Sequence, residues 1–256
     1  MKFRLINTYT NNPYMNMAID EALLNSKLPT LRFYQWKPAG LSIGYFQKIN
    51  QIDTDFCEKN NIKIVRRLTG GNAVLHDKEL TYSFIIDEDI MPKSITESYK
   101  EISKCLLKGI ELFGLKPKME DNIEKKESSA VCFNDPSWYE ITINKRKLIG
   151  SAQKRIEGKL LQHGAILINI DIERYAGCFT DCSPDLIKKT GERVISLETE
   201  LKKKIDYNEA CEKIKKGFEK ALAIEFKKST LSKQEKELAQ KLYKEKYSTK
   251  EWNFQK

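Results

Sequence analysis

The feature of this sequence that most constrains its fold is the grouping of short strand-like runs into blocks. Apolar runs of strand length fall between residues 31 and 86 and again between 138 and 170, and a helical pattern over about 94–113 separates the two blocks. A doubly wound parallel fold would instead alternate one strand with one helix. We therefore predict an α+β domain with a mixed or antiparallel central sheet and flanking helices.

Local signals mark where individual helices and turns begin. Pro13 opens a predicted helix over 13–26, and Ser94 with Glu97 forms a capping-box pattern at the start of a later helix. In the second block of strands, Asn144-Lys145 and Glu157-Gly158 separate neighbouring runs. Both pairs predict tight hairpin turns, so the strands on either side of each pair are expected to be antiparallel neighbours.

The charge of the chain is concentrated in its C-terminal part. The formal net charge is +9, but residues 201–256 carry 16 basic and nine acidic side chains, whereas the first 200 residues carry 29 and 27. Capping patterns that begin at Asp206 and Ser232 predict two amphipathic helices in this basic tail. We therefore expect a main domain at 1–205 and a helical extension at 206–256.

Composition disfavours several functional classes. A basic protein invites a nucleic-acid interpretation, but the balanced charge before residue 201 and the lack of a recognition motif argue against a nucleic-acid partner. No apolar run reaches the roughly 18 residues of a membrane span, and the N-terminus has no signal-peptide pattern. Six scattered cysteines predict reduced thiols and a cytoplasmic location. Because His76 and His163 are the only histidines, no metal site is expected.

The first segment that is dense in candidate functional groups is Arg66-Arg67-Leu68-Thr69-Gly70-Gly71-Asn72-Ala73-Val74-Leu75-His76-Asp77. Its two glycines allow backbone amides to approach a ligand closely, and its two arginines can donate to a carboxylate, a phosphate or a thioester-linked carrier group. A plain turn between two strands, with solvated arginines, explains the same residues. The segment is neither a P-loop nor a dinucleotide-binding motif, because the residues that follow the glycines differ.

Two further segments carry a cysteine and a lysine. Cys132 lies in a predicted loop ahead of a strand that begins near Trp138, and a thiol becomes a nucleophile where a nearby cation or helix end lowers its pKa. Lys147 precedes the small residues Gly150 and Ala152, which leave room for a slender ligand on one face of a strand. An ordinary free thiol and a lysine that reaches solvent are the plainer alternatives.

Taken together, four ordered motifs resemble the catalytic domain of the biotin and lipoate protein ligase and lipoyl transferase superfamily. They are the helical segment 16–21, R-R-x-T-G-G-x-A-V-x-H from Arg66, K-x-I-G-S-A-Q from Lys147, and Q-H-G from Gln162. Within the superfamily, two segments are most similar to the octanoyltransferase LipM family: Cys132-Phe133-x-x-Pro136-Ser137-Trp138-Tyr139-Glu140 and His76-Asp77-x-Glu79-Leu80-Thr81-Tyr82-Ser83. The resemblance extends to about residue 200, and it implies a mixed α+β catalytic domain at 1–205.

The resemblance also implies a reaction. In this family the cysteine carries an acyl thioester and the lysine lowers its pKa, so the catalytic residues would be Cys132 and Lys147. Octanoate would pass from octanoyl-acyl carrier protein, without ATP or any cofactor, to the lysine of a lipoyl domain such as the glycine cleavage H protein. The residues then expected to bind substrate are Arg66, Arg67, Gly70, Gly71, Val74, His76, Gly150, Ala152, His163 and Gly164.

Two related activities are alternatives to this interpretation. An ATP-dependent lipoate-protein ligase shares the Gly-Gly and lysine motifs, but it usually has Asn-Asp where Tyr139-Glu140 stand in this sequence. Such ligases also commonly carry, or work with, an additional C-terminal domain. A lipoyl-domain amidotransferase would use the same cysteine chemistry with an octanoylated lipoyl domain as donor. ATP dependence and donor choice distinguish the three activities.

Overall fold

The structure is a computed structural model that describes residues 2–120 and 140–255. Within these ranges the chain forms eleven strands and nine α-helices. The strands are β1 Phe3–Asn11, β2 Thr30–Trp36, β3 Gly40–Ile43, β4 Lys63–Arg66, β5 Val74–His76, β6 Glu79–Asp87, β7 Lys118–Glu120, β8 Glu140–Ile143, β9 Arg146–Ile156, β10 Lys159–Leu167 and β11 Phe226–Ser229. The helices are α1 Pro13–Ala22, α2 Thr54–Lys59, α3 Ile95–Glu111, α4 Ile172–Ala176, α5 Pro184–Arg193, α6 Leu197–Leu201, α7 Tyr207–Leu222, α8 Lys233–Leu242 and α9 Lys250–Asn253. Among these helices, none is both long enough and apolar enough to cross a membrane.

Eight strands form the main sheet, in the order β11-β1-β2-β6-β10-β9-β8-β7. β1 runs parallel to both β11 and β2, whereas the other neighbouring pairs are antiparallel. A mixed sheet with helices packed against it confirms the predicted α+β class. The long β6–β10 and β10–β9 pairings bring three strands side by side, and residues of all three meet at the cavity described below.

Helices and a second sheet cover opposite faces of the main sheet. Ile166 of β10 belongs to the apolar cluster that α3 and α7 complete, whereas its neighbours Ala165 and Leu167 belong to the cluster of the second sheet. Because successive side chains of a strand point to opposite faces, the two clusters lie on opposite sides. The second sheet has three strands in the order β4-β3-β5, with β4 at one edge.

The local signals in the sequence correspond to observed elements. Both residues of each predicted hairpin turn have positive φ, 51° and 63° at Asn144 and Lys145, and 50° and 77° at Glu157 and Gly158. Positive φ at both central positions is the signature of the tight turn that matches strand twist, so both hairpins are confirmed. The helix predicted over 13–26 ends earlier, at Ala22, and a 3-10 turn follows it.

The basic tail contains more than the two helices that the sequence predicted. Between α7 and α8, β11 adds to the edge of the main sheet, parallel to β1. The exposed lysines of this four-residue strand explain why its pattern did not indicate a strand. α7 packs on α3, α8 packs on α1, and a π-helix at Tyr243–Tyr247 leads to α9. The predicted capping box at Ser232 is confirmed, since Glu235 accepts from the Ser232 backbone at 2.8 Å.

Candidate active site

A cavity of about 240 Å³ lies between the main sheet and the second sheet. Its mouth is at the exposed Gly71 and the half-buried Asn72, and its deeper lining includes the buried Tyr34 and Thr81. The lining residues within the described ranges are Met17, Tyr34, Trp36, Ser42, Arg67, Gly71, Asn72, Val74, His76, Thr81, Gly150, Ser151, Ala152, His163, Gly164 and Ala165. The site therefore draws on both sheets, α1 and the loop between β4 and β5.

Small residues on two neighbouring strands form one wall of the cavity. β9 contributes Gly150 and Ala152, and β10 contributes Ala165, which stands opposite Gly150 in the antiparallel register. Side chains with at most one carbon leave the space next to the sheet open. A Cβ on Gly164 would lie 2.4 Å from the Gly150 carbonyl oxygen, so this position also requires glycine.

The loop between β4 and β5 forms the cavity mouth, and its position depends on two glycines that are distant in sequence. Gly71 has a φ of +85°, in the left-handed region that favours glycine. A Cβ on Gly44, directly after β3, would lie only 1.7 Å from the Gly71 carbonyl oxygen. Close packing of these two glycines therefore fixes the mouth against the end of β3. Gly44 lies outside the motifs of the sequence described above.

Arg67 connects the same loop with β3. Its Nη2 donates to the carbonyl oxygens of Gly70 at 2.7 Å and Asn72 at 2.9 Å. Its Nη1 donates to the carbonyl oxygen of Ser42 at 2.8 Å. The guanidinium is buried, so these charge-assisted hydrogen bonds form away from water and hold the curvature of the loop.

A buried hydrogen-bond chain runs from Arg67 to Asp20. Arg67 Nε donates to the Thr69 hydroxyl at 3.1 Å, and Thr69 Oγ1 lies 2.7 Å from His163 Nε2. His163 Nδ1 lies 3.1 Å from Asp20 Oδ2. Because an ionised carboxylate can only accept, we infer that His163 carries its proton on Nδ1 and that Nε2 accepts from Thr69. The chain fixes the orientation of the imidazole ring beside the cavity.

The electrostatics of this chain favour an ionised aspartate and a neutral histidine. Burial alone would raise the pKa of Asp20, but the charge of Arg32 at 2.6 Å and hydrogen bonds from His163 and Ser83 lower it below its usual value. Burial lowers the pKa of His163, and the nearby Arg67 charge adds to this, although Asp20 opposes it. At neutral pH the cavity is therefore lined by an uncharged His163.

A second chain with the same order of groups ends at Glu79. Arg67 Nη1 lies 3.3 Å from Ser42 Oγ, and this hydroxyl lies 2.7 Å from His76 Nε2. His76 Nδ1 is hydrogen-bonded to the Glu79 carboxylate. Trp36 stacks on the His76 ring, with centroids 4.1 Å apart and planes 6° from parallel. Two chains of hydroxyl, imidazole and carboxylate thus start from the one guanidinium of Arg67, and both imidazoles line the cavity.

The size of the cavity suits a medium-length acyl chain. A cavity of about 150 Å³ holds benzene, which corresponds to about 25 Å³ per carbon, so an eight-carbon chain needs about 200 Å³. The volume of about 240 Å³ meets this requirement. Small residues, Val74 and the ring of Trp36 offer apolar contacts, and the mouth leaves the reactive end of a bound chain open to a second reactant.

Lys147 lies on β9, three residues before Gly150, and is 3% exposed. Its Nζ lies 2.6 Å from Glu140 Oε1 on β8. Burying an ammonium group is costly unless a partner compensates its charge, and Glu140 supplies that compensation. Lys147 itself is not among the residues that line the cavity. Cys132, the predicted nucleophile, lies outside the described residues.

The structure gathers most of the residues predicted to bind substrate. Those that line the cavity are Arg67, Gly71, Val74, His76, Gly150, Ala152, His163 and Gly164. Arg66 and Gly70 do not line it. Arg66 instead donates from Nη1 to the carbonyl oxygens of Gly44 at 2.8 Å and Gln47 at 2.7 Å. Its guanidinium therefore supports the loop after β3 and does not face the cavity.

Four residues of the two hydrogen-bond chains were missed as candidates by the sequence analysis: Asp20, Ser42, Thr69 and Glu79. Asp20 had a usable signal, because it lies between Ile19 and Leu23 on the apolar face predicted for the first helix, where an unpaired carboxylate would be unfavourable. The other three are short polar residues within or beside strands. Thr69 belongs to the R-R-x-T-G-G motif and Glu79 lies three residues after His76, so both had a local signal. The partners of Ser42 are 25 and 34 residues away, so no local pattern identifies it.

Sequence comparison finds relatives along the whole chain. The lipoyl protein ligase A/B catalytic domain model matches residues 12–219. Octanoyltransferase LipM of Clostridioides difficile is 43% identical over 267 residues, which cover 98% of each chain. Octanoyltransferase LipM of Halalkalibacterium halodurans is 41% identical over 273 residues, which cover 99% of each chain.

Solved structures share the fold. One is a chain from a study of the bi-partite lipoate protein ligase of Thermoplasma acidophilum and its E2 lipoyl domain. It superposes with a TM-score of 0.85 at 27% identity, and the match covers 99% of this chain and 96% of the relative. A lipoate-protein ligase A bound with ATP superposes with a TM-score of 0.84 at 28% identity and covers 99% of both chains. These similarities agree with the mixed α+β architecture.

Proposed function

The chain belongs to the family of lipoyl protein ligase A/B catalytic domains, and we propose that it is an octanoyltransferase, as the names of its relatives indicate. It takes an octanoyl group from a thioester donor and attaches it to a lysine amine of an acceptor protein. The observation that carries the proposal is the cavity of about 240 Å³, which suits an eight-carbon chain and opens at the Gly71 loop.

Cys132 and Lys147 perform the covalent chemistry in this proposal. The Cys132 thiol gives up its proton and the thiolate attacks the carbonyl carbon of the donor thioester. The bond from that carbon to the donor sulfur then breaks, and the donor thiolate takes up a proton. The acceptor lysine amine then attacks the enzyme thioester, so that an amide forms, the Cys132 sulfur leaves, and the amine proton is released. A cationic Lys147 within about 4–6 Å favours the thiolate form of Cys132. The ion pair between Lys147 and Glu140 supports a charged lysine at this buried position.

The cavity residues hold the acyl chain. Gly71, Val74, Gly150 and Ala152 surround the methylene groups, and the neutral His163 keeps charge away from them. Backbone amides of the Gly70-Gly71 loop, or the Lys147 ammonium, stabilise the oxyanion of each tetrahedral intermediate. Arg66 and Gly70 act on substrate indirectly, through the shape of that loop.

The donor is octanoyl-acyl carrier protein and the acceptor is a lipoyl domain such as the glycine cleavage H protein. A carrier-bound thioester is already activated, so the transfer needs no ATP and no resident cofactor. The names of the relatives support octanoyl transfer, and a solved relative was analysed with its lipoyl domain. Both partner assignments follow from that resemblance together with the cysteine chemistry.

The proposal is tested by transfer from octanoyl-acyl carrier protein to H protein without ATP, followed by mass spectrometry of the acceptor. We expect octanoylated H protein with the wild-type enzyme and none with Cys132→Ala. Cys182→Ala is the matched control, because Cys182 is an exposed free thiol. Transfer by Cys132→Ala at the wild-type rate would refute the cysteine mechanism.

An ATP-dependent lipoate-protein ligase is a second candidate, because the solved relatives with TM-scores of 0.84 and 0.85 are ligases. Such an enzyme would consume free lipoate only when ATP and magnesium are present. We expect no lipoylation under those conditions, while transfer from the carrier thioester proceeds. A lipoyl-domain amidotransferase would instead use octanoylated H protein as donor, and the same mass measurement on a second lipoyl domain distinguishes it.

A further inference from the structure

The C-terminal segment Tyr243–Asn253 contacts the strand that leads into the cavity mouth. Within the described part of the chain, β4 is an edge strand whose paired neighbour is β3. At its last residue, the Arg66 backbone N–H donates to Asn253 Oδ1 at 2.8 Å, and Trp252 Nε1 donates to the Arg66 carbonyl oxygen at 2.9 Å. Two side chains of α9 therefore take the place of a neighbouring strand.

The carboxamide of Asn253 is held in the orientation that this contact needs. Its Nδ2 donates to the carbonyl oxygens of Tyr247 and Thr249, both at 2.8 Å. The side chain is 3% exposed. Because the π-helix ends at Tyr247 and α9 begins after Thr249, these carbonyls belong to the turn that joins them. Asn253 thus links the shape of that turn to the edge of β4.

From Arg66 the contact continues to the cavity mouth. The Arg66 guanidinium donates to the carbonyl oxygens of Gly44 and Gln47, which bracket the loop after β3. In that loop, the Tyr45 backbone N–H donates to the Thr69 carbonyl oxygen at 2.9 Å. Gly44 also packs against the Gly71 carbonyl. Every step between Asn253 and Gly71 is therefore a hydrogen bond or a close backbone contact.

The same tail segment has a second anchor on α1. Lys246 Nζ lies 2.7 Å from Glu21 Oε2, and the Tyr247 hydroxyl donates to the same oxygen at 2.6 Å. Glu21 is next to Asp20, which holds His163 at the cavity. The tail is thus attached both to α1 and to Arg66, the last residue of β4, after which the loop at the cavity mouth begins.

We propose that Asn253 is a positioning residue for the acyl site: it holds Arg66, and through Arg66 it holds the loops 44–47 and 67–72 at the spacing that forms the cavity mouth. The inference rests on the proposed function only in taking octanoate as the ligand of the cavity. It gives the C-terminal segment a role in substrate binding that its basic charge alone does not indicate.

The test compares Asn253→Ala with Glu251→Ala, an exposed residue of the same helix. We measure hydrogen exchange of peptides that cover 41–47 and 66–75, octanoate affinity by calorimetry, and thermal unfolding. For Asn253→Ala we expect faster exchange in those two peptides and about tenfold weaker octanoate binding, the equivalent of about one hydrogen bond. In transfer assays, KM for the octanoyl donor should rise more than kcat falls. Glu251→Ala should match the wild type.

Trp252→Phe provides a second variant, which keeps an aromatic side chain, removes the hydrogen bond to the Arg66 carbonyl oxygen and gives up part of the indole's ring contacts. This variant is the test if Asn253→Ala fails to fold. We expect faster exchange in the peptides that cover 41–47 and 66–75, and about threefold weaker octanoate binding. Wild-type exchange and wild-type octanoate affinity in a folded variant would overturn the inference, as would a loss of stability spread over all peptides. Octanoate binding without any transfer by the wild type would refute the proposed function while leaving this inference in place.

Discussion

A single substitution in the cavity wall should change which acyl chain the protein prefers. Ala165 lines the cavity from β10 and is 1% exposed, so a larger side chain at this position extends into the cavity and not into solvent. Ala165→Leu adds three carbon atoms, which occupy about 75 Å³ at about 25 Å³ per carbon. About 165 Å³ of the original cavity of about 240 Å³ would remain, enough for about six carbons.

The expected change in selectivity follows from the free energy of burying methylene groups. In the wild type, octanoate buries two methylenes more than hexanoate, worth about 0.8 kcal/mol each, so it should bind about 15-fold more tightly. In Ala165→Leu these two methylenes no longer fit, so hexanoate should bind at least as tightly as octanoate. Calorimetry with both acids measures the affinities, and competition between hexanoyl and octanoyl carrier proteins measures the rates.

Ala221→Leu, on the exposed part of α7, is the matched control and should keep the wild-type preference. Thermal unfolding shows whether Ala165→Leu is folded. A folded variant that still binds octanoate about 15-fold more tightly than hexanoate would refute the assignment of this cavity to the acyl chain.

Three other predictions test separate parts of the site. Gly44→Ala should destabilise the fold by about 1–3 kcal/mol, because its Cβ would meet the Gly71 carbonyl. Gly70→Ala, where a Cβ meets nothing within 4 Å, should change the free energy of unfolding by less than about 0.5 kcal/mol. Urea unfolding measures both variants, and equal effects would contradict the proposed packing of Gly44 on Gly71. The pKa of His163 is lowered in the folded protein, so the unfolded chain binds its proton first as the pH falls below about 6.5. The free energy of unfolding should therefore fall from about pH 7 to pH 5, and the fall should be smaller in His163→Gln when both proteins are unfolded with urea. The same fall in both proteins would contradict this prediction. Lys147→Met should move the acid limb of the pH–rate profile for acyl-enzyme formation toward the value of a free thiol, about 8.5, and an unmoved limb would show that Lys147 does not act on the thiol.

The fold was predictable where local signals agree with the tertiary arrangement. The two hairpins follow from Asn144-Lys145 and Glu157-Gly158, because each pair contains a residue, Asn144 or Gly158, that readily adopts the positive φ of a tight turn. The start of α1 at Pro13 follows in the same way. β11 was not predictable, because a short edge strand with exposed lysines is stabilised by its pairing with β1 and not by its own pattern.

The site was predictable where it consists of motifs that are continuous in sequence. The Gly-Gly segment and the small residues of β9 led to Gly71 and Gly150, which do line the cavity. The two adjacent arginines could not be distinguished by type, and only the structure shows that Arg67 lines the cavity whereas the Arg66 guanidinium binds the carbonyls of Gly44 and Gln47. Asp20 acquires its role from partners on three other strands, β2, β6 and β10, and only the folded chain shows them together.

The central claim is that an acyl thioester forms on Cys132, and intact mass spectrometry tests it most directly. The protein is incubated with octanoyl-acyl carrier protein without ATP and without an acceptor, and the adduct is mapped by peptide analysis before and after hydroxylamine. We predict one octanoyl group on Cys132, labile to hydroxylamine, in the wild type and in Cys182→Ala, and none in Cys132→Ala. A wild-type protein that stays unmodified in this incubation, yet octanoylates H protein once H protein is added, would contradict this account.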